Sequence, residues 1–240
     1  MVTALFIAVI TFSFFAQSIL GFGSGLIAVP LLILFMPVQD AVTVLILFEF
    51  LIGLLIFKTY KNTAIQLVNS LVPAMVIGTV LGILSLKYIS EDAIRLIFAG
   101  YIIFYLLRNH TSFDPFKFII DRGGALFAGF LGGGLNGMIS GGGPAFVLYL
   151  KEQSASAVAL RANVTAILFI ANIPRIFGSW AAGLMTLDLV ILGVTAIPGF
   201  LFAIVLGQKL HDKIPQKIFY FLIEALLVCT ALSLIINVAL

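Results

Sequence analysis

The chain has 240 residues, 62% of them hydrophobic and only 10% charged, and its mean hydropathy is +1.24. That is too little polar material to coat a water-soluble globule of this size, so a soluble domain and a nucleic-acid partner are excluded and a lipid bilayer is the expected surrounding. The formal net charge of +3 means only that anions are not repelled.

The first segment, 1–36, is apolar, opens without the basic stretch of a signal peptide and runs straight into "GFGSGLIAV" (21–29); it is expected to be retained structure. Uninterrupted apolar runs follow at 41–57, 65–86 and 93–107, then a polar connection at 108–122. Segment 123–150 is again apolar but holds "SGGGP" (140–144), and further runs lie at 157–178, 186–208 and 216–238. The six uninterrupted runs are near the ~20 residues that cross a hydrocarbon core and predict six transmembrane helices. The glycine-broken segments need another explanation. Cys229 lies unpartnered in the last run, and His110 and His211 are isolated loop residues, so no disulfide, metal site or cofactor is expected. The N-x-T triplets at Asn109 and Asn163 occur at the frequency chance supplies.

The two halves are duplicates. "LVPAMVIGTVLGILSLKYI" (71–89) aligns with "AIPGFLFAIVLGQKLHDKI" (196–214), pairing Pro73 with Pro198, Gly82 with Gly207 and Ile89 with Ile214. Upstream, "GFGSGLIAV" (21–29) aligns with "ISGGGPAFV" (139–147). The expected fold is therefore an all-α polytopic membrane protein of two homologous repeats, 1–107 and 123–240, joined by the loop 108–122. Each repeat is a glycine-broken re-entrant hairpin or discontinuous helix plus three transmembrane helices. If 123–150 enters and leaves on one side, ten of the thirteen Lys and Arg residues share one face, and only Lys87, Arg95 and Arg175 fall elsewhere. The positive-inside rule makes that face cytoplasmic, in the cell (inner) membrane. Three crossings per repeat is an odd number, which inverts the second copy.

Non-helical backbone at membrane depth is tolerated where it is buried in protein or lines a wet cavity, so the breaks are expected to point inward. Glycines there would allow positive φ and leave amide N–H groups unshielded, and Pro144 suits the first turn of the next helix. Two helix N-termini facing each other would make an anion site. Its expected members are Gly21, Gly23, Ser24 and Gly25 from the first break and Gly141, Gly142 and Gly143 from the second, with Gln17, Asn136 and Ser140 as neutral donors. The alternative for the spaced series Gly129, Gly133, Gly137 and Gly141 is close packing of helices.

The duplicated "GFGSGLIAVPLL" and "SGGGPAFVLYL", each followed by a long helix and a P-x8-G helix, resemble the TauE/SafE family, also called the toluenesulfonate uptake permease family. The likeness covers nearly the whole chain; Leu148 stands where the second repeat often carries another proline. The resemblance implies proton-driven transport of small sulfur-containing anions such as sulfite, thiosulfate or organosulfonates. Cargo, direction and oligomeric state stay open, with a homodimer as the candidate assembly.

Ionisable residues at membrane depth are functional candidates. Glu49 and Glu224 are the candidates for proton coupling. Arg175 is expected either to hold a sulfonate bidentately, to pair with Glu49, or to reach the interface marked by Trp180. Asn172, Asn163 and Thr165 on the same run are weaker polar candidates. An enzyme is not expected: a nucleophile at Ser24 or Ser140 would lack a membrane-embedded histidine, and "GGGLNG" (132–137) has no βαβ setting. A passive anion channel is the alternative, since glycine breaks serve channels too; duplicated repeats and buried carboxyls favour a carrier.

Overall fold

In the computed structural model the described residues are 2–20, 23–55, 61–110, 115–210 and positions 228, 231, 232 and 235. Among them are nine helices: α1 (Val2–Leu20), α2 (Ser24–Leu32), α3 (Val38–Leu55), α4 (Ile65–Tyr88), α5 (Glu91–His110), α6 (Pro115–Ile139), α7 (Gly143–Gln153), α8 (Ala157–Ala181) and α9 (Leu187–Leu210). The protein is all-α and polytopic: α1, α3, α4, α8 and α9 are long and apolar enough to cross a membrane. The run 93–107 forms α5, whose ends carry Glu91, Asp92, Arg95 and Arg108, and it is not among these five. The run 216–238 lies outside the described residues except at the four positions above, which are helical where described.

The glycine-broken segments divide unequally. In 1–36, α1 has 19 residues and α2 only 9. In 123–150, α6 is interrupted at Gly124 (φ 59°, ψ −148°), so that Gly124–Ile139 is the apolar limb, and α7 has 11 residues. Those last two limbs are each shorter than a crossing needs. The second folds back on the first: the Phe146 ring lies against Gly132, and Phe146 and Leu150 belong to one packed cluster with Ala128.

Helix packing repeats the duplication. α4 packs along α6 as α9 packs along α1, α2 joins α1 to α3 as α7 joins α6 to α8, and α3 meets α8. α6 is thus covered by the helix that carries Pro73, and α1 by the helix that carries Pro198. Gly82 and Gly207 do the same work in the two contacts: a Cβ on Gly82 would strike the Gly134 carbonyl and lie 2.9 Å from Met138 N, and one on Gly207 would lie 2.5 Å from Ser18 Cβ and 3.1 Å from the Phe15 carbonyl.

The spaced glycines of α6 serve packing. A Cβ on Gly129, Gly133 or Gly137 would run into the α4 backbone at Leu71, Met75 or Thr79, and Gly78 presses against Phe130 in return. With no water to expel from between them, membrane helices gain instead from the van der Waals packing of such close backbone approach. Gly133→Leu is therefore expected to lower the thermal unfolding temperature of the detergent-purified protein, by the ~1–3 kcal/mol typical of overpacking. Gly100→Ala, with open space around it, is expected to leave it unchanged or raised; equal effects would exclude close packing as the reason for Gly133. The rings of Phe6, Phe14, Phe48 and Phe200 fill the contact of α1, α3 and α9, with centroids 5.0–6.4 Å apart. Outward, Ile77, Val80 and Leu81 on α4 and Ile191, Phe202 and Val205 on α9 are exposed, as lipid-facing residues should be.

Candidate functional site

The two breaks are built differently. Between α1 and α2, Gly23 takes the left-handed conformation (φ 96°). Between α6 and α7 the left-handed residue is not one of the three glycines but Ser140 (φ 54°). Its N–H donates to the Asn136 carbonyl at 3.1 Å, and the Gly141 N–H donates to the Leu135 carbonyl at 3.1 Å, closing the end of α6. Gly142 precedes α7 with ordinary helical dihedrals, and Pro144 occupies its first turn. The expectation that the "SGGGP" glycines supply positive φ is thus corrected: among the described residues only Gly23, Gly124 and Gly183 are positive-φ glycines.

Closeness explains the second break instead. A Cβ on Gly142 would lie 2.5 Å from the Gly132 carbonyl and 2.7 Å from Asn136 Cβ, and one on Gly141 would lie 2.9 Å from the Tyr101 ring. The Tyr101 hydroxyl donates to the Gly141 carbonyl at 2.5 Å. The breaks also touch each other, because a Cβ on Gly25 would collide with the Ser140 backbone.

Where they meet there is a cavity of about 30 Å³. One ordered water needs about 10–15 Å³, so the space holds more than a single water. Ser24 and Gly25 reach it from the start of α2, Gly143 and Pro144 from the start of α7. Both helices therefore begin at the cavity, and the first N–H groups of a helix have no partner within it. Gln17 and Asn136 line it as well, each seven residues before its following helix begins. Gln17 Oε1 and Asn136 Nδ2 are buried and have no hydrogen-bond partner among the described residues. Buried polar atoms are rarely left so, and these mark a place for a ligand or water.

Arg175 lies directly behind the wall. Its side chain is fully buried and donates from Nη1 to Glu49 Oε2 and, at 3.0 Å, to Asn172 Oδ1, and from Nη2 to Ser140 Oγ at 2.6 Å. Those three partners all line the cavity. Of the alternatives for Arg175, the pair with Glu49 is the one formed. Ser140 explains its own strain: a left-handed conformation costs an L-residue roughly 1–2 kcal/mol, and only a side chain there gives Arg175 its acceptor. Ser140→Gly removes both the strain and the acceptor, whereas Ser140→Ala keeps the strain. The alanine variant is expected to unfold at the lower temperature of the two, and the reverse order would mean that the backbone is unstrained.

Of the other expected members, Gly23 lines the cavity, Gly141 and Gly142 stand behind it in packing contacts, and Gly21 and Glu224 lie outside the described residues. Thr165 and Asn172 line it with Leu168 and Phe169, and with Arg175 they form one stripe of α8 at helical spacing, legible in the sequence as polar residues seven and three apart. Asn163 is structural: its Oδ1 accepts from the Ala64 N–H at 2.8 Å and its Nδ2 donates to Ser154 Oγ at 3.1 Å, pinning the starts of α4 and α8 to the end of α7. Ile52 and Gly53 on α3 complete the apolar side; one turn of helix from Glu49, they had only that position to mark them.

Neither a curated protein nor a solved structure matches the chain. Residues 5–234 match the family model described as Sulfite exporter TauE/SafE, and this multi-pass membrane protein therefore belongs to the TauE/SafE sulfite exporter family of anion transporters.

Proposed function

We propose that the protein is a secondary transporter of small sulfur oxyanions or sulfonates, coupled to protons and working by alternating access. The observation that carries this reading is the convergence of two helix N-termini on one buried cavity with Arg175 behind its wall. Anions are stabilised at helix N-termini by the unpaired N–H groups and the helix dipole together. Gly23, Gly25 and Gly143 bring bare backbone to the anion; Ser24, Asn136 and Ser140 supply neutral donors, and the unpaired Gln17 Oε1 can accept from a water or a protonated oxygen of the cargo. Glu49 is the proton carrier in this scheme.

The exchange of covering helices between the two halves supports a two-fold relation, the plan on which many alternating-access carriers are built. Inversion of the second copy and an inner-membrane location with the basic loops in the cytoplasm complete the proposal.

Uptake of radiolabelled sulfite, thiosulfate, sulfate and methanesulfonate into proteoliposomes, with and without an imposed pH gradient, tests it. Saturable, gradient-responsive flux of one of these anions is expected. Asn136→Leu is the informative variant: it removes a buried, unpaired donor, so thermal stability should hold or rise, while the transported anion loses a hydrogen bond and its apparent affinity falls about tenfold or more. Unsaturable flux that follows membrane potential alone would make the protein a channel.

A further inference from the structure

The wall between the cavity and Arg175 consists of that arginine's own hydrogen-bond partners, and of the three only Glu49 is an anion. The guanidinium has five N–H donors, and its buried Nε–H has no partner among the described residues, so it has donor capacity beyond the bonds to Glu49, Asn172 and Ser140. An oxyanion drawn to the starts of α2 and α7 comes to rest in the same small cavity that Glu49 lines. Two like charges so close, away from salt and bulk water, repel strongly.

Among the described residues, no other charge on the helices packed against α3 stands where it would relieve this. α1 and α2 contain no ionisable residue. On α5, Glu91, Asp92 and Arg95 occupy the opening turns and Arg108 and His110 the last; Tyr101 and Tyr105 lie between, the former bonded to Gly141. On α9, Asp188 is in the first turn and Lys209 in the last, and Arg161 is near the start of α8. Among the described residues, Arg175 is the cation that faces Glu49.

We propose that the Glu49 carboxylate and the transported anion are alternative occupants of Arg175, so that loading requires one proton on Glu49. This rests on the anion-transport reading above. The proton goes to a carboxylate oxygen of Glu49, the ion pair opens, and the N–H groups released from it, together with Nε–H, turn to the anion. Charge balances in both states. The empty site holds one carboxylate and one guanidinium; the loaded site holds a neutral carboxyl, the guanidinium and one monovalent anion. An anion without the proton, or a proton without the anion, would leave a buried charge uncompensated, which low-dielectric surroundings disfavour. Each monovalent anion therefore crosses with one proton and moves no net charge, and the empty carrier returns with its ion pair re-formed.

The test uses wild-type proteoliposomes with a pH dye inside, membrane potential clamped by potassium and valinomycin, and methanesulfonate, which stays monovalent across the working range. Sulfite, at mildly acidic pH where hydrogensulfite dominates, is the second probe. One proton should enter with each anion, a gradient of one pH unit should accumulate it about tenfold, and membrane potential should have no effect. An uncoupled monovalent anion would instead be redistributed roughly fiftyfold by 100 mV. Glu49→Gln should lose the response to pH and become potential-driven. Potential-driven flux without proton movement in the wild type overturns the proposal, and so does proton-coupled flux in Glu49→Gln; wild-type stoichiometry alone decides if the variant does not fold. If neither anion moves in the wild type under any gradient, the transport reading itself fails, and the proposal with it.

Discussion

Replacing Arg175 with methionine is expected to cost about 3–5 kcal/mol of stability and all anion flux. The guanidinium is fully buried and the Glu49 side chain is 10% exposed, so the variant leaves a carboxylate with no counter-charge and strips Ser140 Oγ and Asn172 Oδ1 of their donor. Breaking one side of a buried pair is far more harmful than replacing both, since the remaining charge is uncompensated. The double variant Glu49→Gln/Arg175→Met should therefore recover most of the unfolding temperature without recovering flux. Thermal unfolding in detergent and flux in proteoliposomes, measured on all three proteins, separate the two roles of the pair. A double variant as unstable as the single one would show that Arg175 stabilises the fold by packing, and normal flux in Arg175→Met would remove it from the transport cycle. Lysine is no substitute, because a single ammonium lacks the planar fork that reaches Glu49 and Asn172 from one nitrogen and Ser140 from the other.

Local signals were readable and partnerships were not. The runs that became α3, α4, α8 and α9 are marked by length and apolarity alone, which depend on the bilayer and not on neighbouring helices. The duplicated glycine breaks were equally plain, and they do meet. What each glycine is for depends on what stands opposite it. Gly129, Gly133 and Gly137 face the α4 backbone more than fifty residues earlier in the chain, and sequence alone left packing and function as rivals there. The positive φ was expected of the "SGGGP" glycines, yet it falls on Ser140, because that position needs a hydroxyl for Arg175 more than it needs freedom from strain. The pair Glu49–Arg175, one of three options that charge at membrane depth left for this arginine, joins residues 126 apart, and no periodicity chose among the three. By contrast, the stripe Thr165, Asn172 and Arg175 on one face of α8 was available to a reader of helical spacing.

Gly25→Val is expected to abolish transport, with a loss no other substitution of a break glycine should exceed. In the first turn of α2, a Cβ at this position would collide with the Ser140 carbonyl oxygen and come within 2.6 Å of Ser140 Cβ and 2.9 Å of its carbonyl carbon. Backbone cannot yield as the end of a flexible side chain does. Ser140 is moreover held by its own N–H bond to Asn136 and by Arg175. The strain is relieved only by moving the start of α2 away from the start of α7, which separates the two N-termini that make the cavity attractive to an anion. Each terminus contributes about 0.3–1 kcal/mol where exposed and up to ~2 kcal/mol in a partly buried setting, so losing one of them should reduce anion affinity by up to about thirtyfold even where the chain still folds, and the displaced α2 also takes Ser24 from the cavity. Gly183→Ala, away from the cavity, is the control. Among the described residues it has nothing within 4 Å of the new Cβ but sits at φ +74°, so it strains the backbone by roughly 1–2 kcal/mol without moving α2 against Ser140. Both variants should unfold at lower temperature than the wild type. At a temperature where both remain folded, only Gly25→Val should have lost flux; equal flux in the two would mean that contact between the breaks is a matter of stability alone.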